Sequence, residues 1–149
     1  MAEAKAAIVG VLLAAGSGTR FGGNKLLTRL PDGTAIGVAA ARHLVRALPH
    51  SIAVLRPGDE VLEQLLTAEG LRTMINPNAA AGMGTSLACA VSTTEADGWV
   101  IALADMPAIR PATIQAVAEA LAAGAPLAAP VYQGQRGHPI GFARRFHAA

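Results

Sequence analysis

Residues 7–25 read AIVGVLLAAGSGTRFGGNK, and this stretch decides the fold. Its first part, Ala7 to Ala14, is a continuous apolar run of β-forming character. Such a run fits a strand covered on both faces, as strands of parallel sheets are. Its second part changes character at once: Leu13 to Lys25 carries Gly16, Gly18, Gly22 and Gly23 together with Arg20 and Lys25. Glycines let backbone N–H groups converge on one point without Cβ obstruction. Two cations beside such a nest suit a polyphosphate, with Lys25 reaching farther along the phosphate chain. A surface turn with two solvated charges explains the same residues without a ligand.

Downstream, short apolar runs alternate with segments of helical period. Ile36, Ala40, Leu44, Ala47 and Leu48 mark one face of a helix that ends before Pro49. Ser51 to Leu55 reads as a second strand. Pro57-Gly58 turns the chain, and Asp59 is placed to cap a helix with Leu62, Leu65 and Leu66 on its inner side. Gly70 ends that helix, and Arg72 to Ile75 is a third, short strand. Asn76 to Gly84 is loop, followed by a helix through Leu87, Ala90 and Val91 and by a buried strand from Trp99 to Ala104.

Pro111 suits the first position of a further helix, where its missing N–H is harmless. Ile114, Val117, Ala118 and Leu121 form its inner face and Gly124 closes it. Leu127 to Tyr132 and Pro139 to Phe142 read as two more strands joined through a Gly-rich turn. The order β-α-β-α-β-α-β-α-β-β specifies an α/β fold, Rossmann-like, with a mostly parallel sheet and helices on both faces. Ligands of such sheets collect beyond the carboxyl ends of the strands. The loops after Ala14, Leu55, Ile75 and Ala104 are therefore the places to search.

Composition narrows the function. A chain of 149 residues fits one domain, and 52% apolar residues exclude a disordered one. Cys89 is the sole cysteine, which excludes a disulfide scaffold and points to a reducing compartment, the cytoplasm. Twelve basic residues face ten acidic ones, ten of the twelve are scattered arginines, and only five residues are aromatic. No basic block exists, so a nucleic-acid surface is not expected. The opening, MAEAKAAIVGVLLAAGSG, has the outline of a secretory leader, but Glu3, Gly10 and the glycine loop depart from that pattern. The apolar run also falls far short of the ~20 residues that span a bilayer, so no membrane partner is expected.

Two familiar phosphate motifs fail on the first loop. A dinucleotide fingerprint needs a third glycine where Phe21 stands, and an acidic residue where Arg56 ends the second strand. A Walker loop needs Gly-Lys-Ser/Thr, yet Asn24 separates Gly23 from Lys25 and Leu26 follows. The string L-A-A-G-x-G-x-R-F-G-x-x-K after an N-terminal strand instead resembles the signature of the nucleotidyltransferase superfamily. That superfamily includes the sugar-phosphate and molybdenum-cofactor nucleotidyltransferases, and the resemblance implies their nucleotide-diphospho-sugar transferase type of fold. It also implies that Leu13, Ala14, Ala15, Gly16, Gly18 and Lys25 bind the nucleotide, with Lys25 and Arg20 acting on the phosphates.

Three later strings extend the reading. WVIALADMP puts Asp105 just past a buried strand, where a lone carboxylate can hold Mg²⁺ with phosphates and water as its other ligands. A helix cap or turn role is the plainer alternative. Asp-Met-Pro resembles the family's metal motif, which implies Mg²⁺ on Asp105 and a catalytic role for it. INPNAAAGMGTSL carries Asn76, Gly82, Gly84, Thr85 and Ser86; a loop of this kind lets small groups approach a flat base edge, while Thr85 or Ser86 also suits an N-cap. Its N-P-x(4)-G-M-x-x-S-L pattern resembles the molybdenum-cofactor cytidylyltransferase branch and implies nucleobase contacts around Asn76, Gly82 and Ser86.

VYQGQRGHPIGF carries Arg136 and His138; a hairpin explains its glycines alone, and resemblance to the same branch puts both residues on the substrate side. L-A-A-G in place of L-A-G-G resembles the cytidylyl branch too. The resemblance therefore implies transfer of CMP from CTP, or GMP from GTP, to a phosphate-bearing acceptor such as molybdopterin. A sugar-phosphate nucleotidyltransferase and a non-catalytic nucleotide or cofactor carrier are the alternatives. Relatives run some tens of residues past the G-H-P strand, so residues 1–149 read as one nucleotidyltransferase domain that is short at its C-terminus. A molybdoenzyme or a second copy of the chain could complete the open side. Cys89 and His43 read as packing residues, the latter as a satisfied core-edge histidine; His50 and His147 carry no pattern.

Overall fold

The computed structural model describes residues 7–15, 19–20 and 23–144. In its first half the elements are β1 (Ile8–Ala14), β2 (Thr19–Arg20), β3 (Gly23–Asn24), α1 (Ile36–Ala47), β4 (Ser51–Leu55), α2 (Glu60–Ala68) and β5 (Arg72–Ile75). The second half adds α3 (Met83–Ser92), β6 (Gly98–Leu103), α4 (Pro111–Ala122), β7 (Leu127–Ala128), β8 (Val131–Tyr132), β9 (Gln135–Arg136) and β10 (Ile140–Ala143). The main sheet has the order β5-β4-β1-β6-β10-β7. Its first four strands are parallel, whereas β10 runs antiparallel to both β6 and β7.

Topology decides which face each helix covers. The connections β1–α1–β4 and β4–α2–β5 step outward in one direction, and β5–α3–β6 returns to the far side of β1. A connection of unchanged hand that reverses direction must change faces, and α3 does. Strand side chains alternate between the two faces. Leu12, Ala14, Ala53, Leu55, Val100 and Ala102 meet α1, α2 and α4. Val11, Leu13, Ile52, Val54, Trp99 and Ile101 meet α3. Gly10 lies where α1 closes on β1: a Cβ there would stand 2.9 Å from Leu44 Cδ1 and collide with the Ser51 hydroxyl.

Punctuation by Pro and Gly holds as read. Pro111 opens α4, the four expected residues of its inner face are buried, and Gly124 closes it at a φ of 108°. Other readings are corrected. Leu127 to Tyr132 is not one strand: β7 joins the main sheet, whereas β8 pairs with β9 in a separate ribbon. Pro130 stands at the break; it has no N–H to give a ladder, and its carbonyl accepts the Gly137 N–H at 2.8 Å.

Asp59 occupies the N-cap position of α2 without a side-chain capping bond, its carboxylate accepting instead from Arg56 Nε at 3.0 Å. The guanidinium is the stronger partner, because both groups are charged. Leu62 and Leu66 are buried, but Leu65 lies at the rim. The third helix starts at Met83, earlier than the loop ending at Gly84 allowed, with Gly82 rather than Thr85 or Ser86 in the cap position. His43 is not satisfied, since its Nδ1 is buried without a hydrogen-bond partner. Among the described residues no helix is long and apolar enough to cross a membrane.

Candidate active site

Register makes the four parallel strands end at one height. Ala14 pairs with Leu55, Leu55 with Ile75, and Leu13 with Leu103. The ladders run one rung further, as the Asn76 N–H donates to the Leu55 carbonyl at 2.8 Å and the Ala104 N–H to that of Leu13 at 3.1 Å. Loops beginning at Ala15, Arg56, Asn76 and Asp105 thus leave a common edge. The chain leaves β1 toward β4 on one side and leaves β6 toward β7 on the other. That divergence is a topological switch point, where open α/β sheets form their ligand crevice.

On the first loop, Leu13, Ala14 and Ala15 are buried in the two cores. The Leu13 carbonyl accepts the Ala104 N–H, which ties the start of this loop to the end of β6. Gly16, Gly18 and the side chain of Arg20 lie outside the described residues. The backbone of Thr19–Arg20 pairs antiparallel with Gly23–Asn24, a short ribbon that the sequence reading missed.

Lys25 then opens a 3-10 turn through Leu27 with its own side chain exposed. Leu26 pins that turn, being buried at 9% exposure against α1. The approach is close enough that a Cβ on Gly37 would stand 3.3 Å from Leu26 Cβ and 3.4 Å from its carbonyl oxygen. The Thr28 N–H donates to the Lys25 carbonyl at 3.0 Å, and the Ile36 N–H to the Thr28 carbonyl at 2.9 Å, so the turn is continuous with the start of α1. Nearby, the Thr34 N–H bonds the Asp32 carboxylate at 2.8 Å and holds it below its ordinary pKa.

Asp105 is exposed directly past β6, in a turn closed by the Met106 N–H on the Leu103 carbonyl at 3.1 Å. Arg110 holds the cap position of α4, so Asp105 caps no helix. Among the described residues no three His, Cys, Asp or Glu side chains gather as a metal cluster. A solitary exposed carboxylate fits Mg²⁺, which binds through one or two carboxylates and takes water and substrate phosphates for the rest.

On the third loop, two of the residues singled out from the sequence are buried. Asn76 and Ser86 are 3% and 2% exposed. The Asn76 Nδ2 donates to Thr85 Oγ1 and to Ser86 Oγ, both at 2.9 Å. Asn76 Oδ1 accepts the Asn78 N–H at 3.0 Å. Gly82 is exposed and adopts a φ of 126°, a backbone conformation that favours glycine.

The late hairpin reaches the same edge. Ile140 is level with Ile101 in the antiparallel pair, so the residues before it rise past the end of β6. Arg136 is exposed on β9, and His138 is half-buried before Pro139, to which it is joined by a cis peptide bond. Two residues at this edge went unremarked as site candidates: Arg56 and Asp59, the ion pair after β4. An Arg three residues before an Asp across a Pro-Gly turn was the available signal. A separate depression of about 280 Å³ opens at the opposite, amino edge, near His50, Arg72 and Glu95.

Comparison with known proteins agrees with this architecture. Rv0371c from Mycobacterium tuberculosis H37Rv superposes with a TM-score of 0.81 at 25% identity, over 98% of this chain and 76% of that one. The same mycobacterial protein in complex with manganese gives 0.76 at 23% identity, over 97% and 75%. A nucleotidyl transferase from Methanothermobacter, Mth528, gives 0.77 at 22% identity, over 92% and 71%. No curated protein matches the chain. Residues 10–149 match the family described as the MobA-like NTP transferase domain, which spans nearly all of the sequence. On that match, the chain belongs to the MobA-like NTP transferase family and is a nucleotidyltransferase.

Proposed function

We propose that this nucleotidyltransferase moves CMP from CTP to the terminal phosphate of a molybdopterin-type acceptor, releasing pyrophosphate, in the cytoplasm. The observation that carries the proposal is the Leu13–Leu103 rung, which pairs the strand that leads into the glycine loop with the strand that leads into Asp105, at the switch point. An acceptor phosphate oxygen attacks the α-phosphorus in line, the bond to the bridging oxygen breaks, and pyrophosphate departs with those electrons.

Backbone amides of the first loop and the charges of Arg20 and Lys25 offset the charge on the phosphates, and the fixed turn at Leu26 spares Lys25 reorganisation. Asp105 would hold Mg²⁺, which when bound neutralises phosphate charge and orients the triphosphate; the mycobacterial protein of the same fold is known as a complex with manganese. The third loop, around Asn76, Gly82 and Ser86, reads the base. Arg136 and His138, on the hairpin at the same edge, face the acceptor. CTP is favoured over GTP by the L-A-A-G and N-P-x(4)-G-M-x-x-S-L strings.

The test is pyrophosphate release with Mg²⁺, acceptor and each of CTP, GTP, UTP and ATP. Release with CTP above the other three supports the proposal, and release with GTP alone replaces the base.

A further inference from the structure

We infer that Asn76 is a positioning residue: a buried amide that fixes the course of residues 76–84 and acts on the nucleotide's base only through them. The inference rests on the proposed base-reading role of that loop.

The loop is poor in packing of its own. Ala79, Ala80 and Ala81 form a 3-10 turn with no buried residue, and Gly82 and Gly84 have open space where a Cβ would be. Ala79 alone packs against the core, so most of the order comes from polar contacts, and they converge on one side chain. Both Nδ2 hydrogens of Asn76 are engaged, by Thr85 and Ser86, and Oδ1 is engaged by the Asn78 amide. Its main chain is engaged as well: the N–H donates to Leu55 at 2.8 Å, and the carbonyl accepts the Ala79 N–H at 3.2 Å. Thr85 extends the network, its hydroxyl lying 2.7 Å from the Gly82 carbonyl and 3.0 Å from that of Asn78. One amide thus joins the end of the sheet, the Asn78–Ala81 turn and the first turn of α3.

With its polar atoms so occupied, the Asn76 side chain offers a ligand nothing directly. The loop's contribution is main chain: the Gly82 N–H and C=O already bond Ala79 and Thr85, so it is the N–H groups opening α3, at Met83 and Gly84, that can pair with a base edge, and only if the loop is held in one conformation. A buried polar group left without partners is costly, so removing one member of the network releases the others. The consequence falls on the nucleoside and spares the phosphates, which the loop after β1 is proposed to hold.

The experiment compares wild type, Asn76→Ala and Thr85→Val by calorimetric titration with the Mg²⁺ salts of CTP, UTP, GTP, ATP and inorganic tripolyphosphate. For the tightest nucleotide we expect a loss of about tenfold or more in Asn76→Ala, a smaller loss in Thr85→Val, and tripolyphosphate affinity within about twofold of wild type. Selectivity among the four bases should shrink in the same order. If Asn76→Ala does not fold, Thr85→Val decides alone. Equal losses for nucleotide and tripolyphosphate, or base selectivity that survives in the folded variants, would overturn the inference while leaving the function intact. A wild-type chain that binds all four nucleotides no tighter than tripolyphosphate overturns the base-reading role, and this inference with it.

Discussion

The Ala104 amide donates to the Leu13 carbonyl at 3.1 Å, and Asp105 is the next residue in the chain. One rung of the sheet thus sets the start of the glycine loop beside the carboxylate proposed to hold the metal. The register of two buried strands fixes the spacing of the points where the two loops begin.

If Lys25 and Asp105 act on the triphosphate as proposed, Lys25→Ala and Asp105→Ala should each lower nucleotidyl transfer by ~10²–10³. Both side chains are exposed, so neither change should alter the unfolding midpoint appreciably. Pyrophosphate release and urea denaturation on the same preparations check the two halves of this expectation. Turnover near that of wild type in either variant contradicts the assignment.

Gly37→Ala tests the support beneath Lys25. The added methyl would stand 3.3 Å from both Leu26 Cβ and Leu62 Cδ1, so the Lys25–Leu27 turn must shift by a few tenths of an ångström. We expect a destabilisation of about 1 kcal/mol and a raised KM for the nucleotide with base preference retained. Steady-state kinetics on the folded variant separates this from the base-side effect of Asn76.

Much of this fold was legible. Ser51–Leu55 and Arg72–Ile75 are strands with the bounds read from sequence, because each is a short segment set off by turn residues, the first of them largely apolar. What escaped notice had no periodicity to betray it. The β2–β3 ribbon consists of two-residue strands, and the break at Pro130 separates two more. Asn76 illustrates a different limit: nothing in a Gly- and Ala-rich stretch marks a polar residue as buried, and only the tertiary approach of Thr85 and Ser86 buries it. Asp59 fits the cap pattern, yet a nearby guanidinium outcompetes backbone amides for its carboxylate. The candidate site was legible as a set of loops, since strand ends and glycines are written in the sequence; the roles of residues within those loops depend on contacts that are not.

Leu44→Ala should be the costliest of these changes for stability. Leu44 is fully buried between α1 and the sheet, against Gly10, and its truncation is expected to cost about 2–5 kcal/mol. Urea denaturation measures it, and a cost under about 1 kcal/mol would mean that α1 is not packed as described.

Asp32 gives a small acid dependence of known sign. The Thr34 N–H lowers its pKa below 3.8, so the ionised carboxylate stabilises the fold at pH values above 3.8. That contribution disappears as pH falls through the depressed folded-state value. Asp32→Asn should therefore be slightly less stable than wild type at pH 7 and converge on it near pH 2, a comparison that urea midpoints at the two pH values can make.

The central claim is that one nucleotide's phosphates lie between the loop after β1 and Asp105. Substituting Mn²⁺ for Mg²⁺ and recording amide resonances as Mn²⁺·CTP is added tests this most directly, because the ion broadens nearby signals. The account predicts simultaneous loss of signals from residues 14–25 and 104–106, with those near Arg72 and Glu95 at the opposite edge unaffected. Broadening of only one of the two loops, or broadening centred on Arg72 and Glu95, would contradict it.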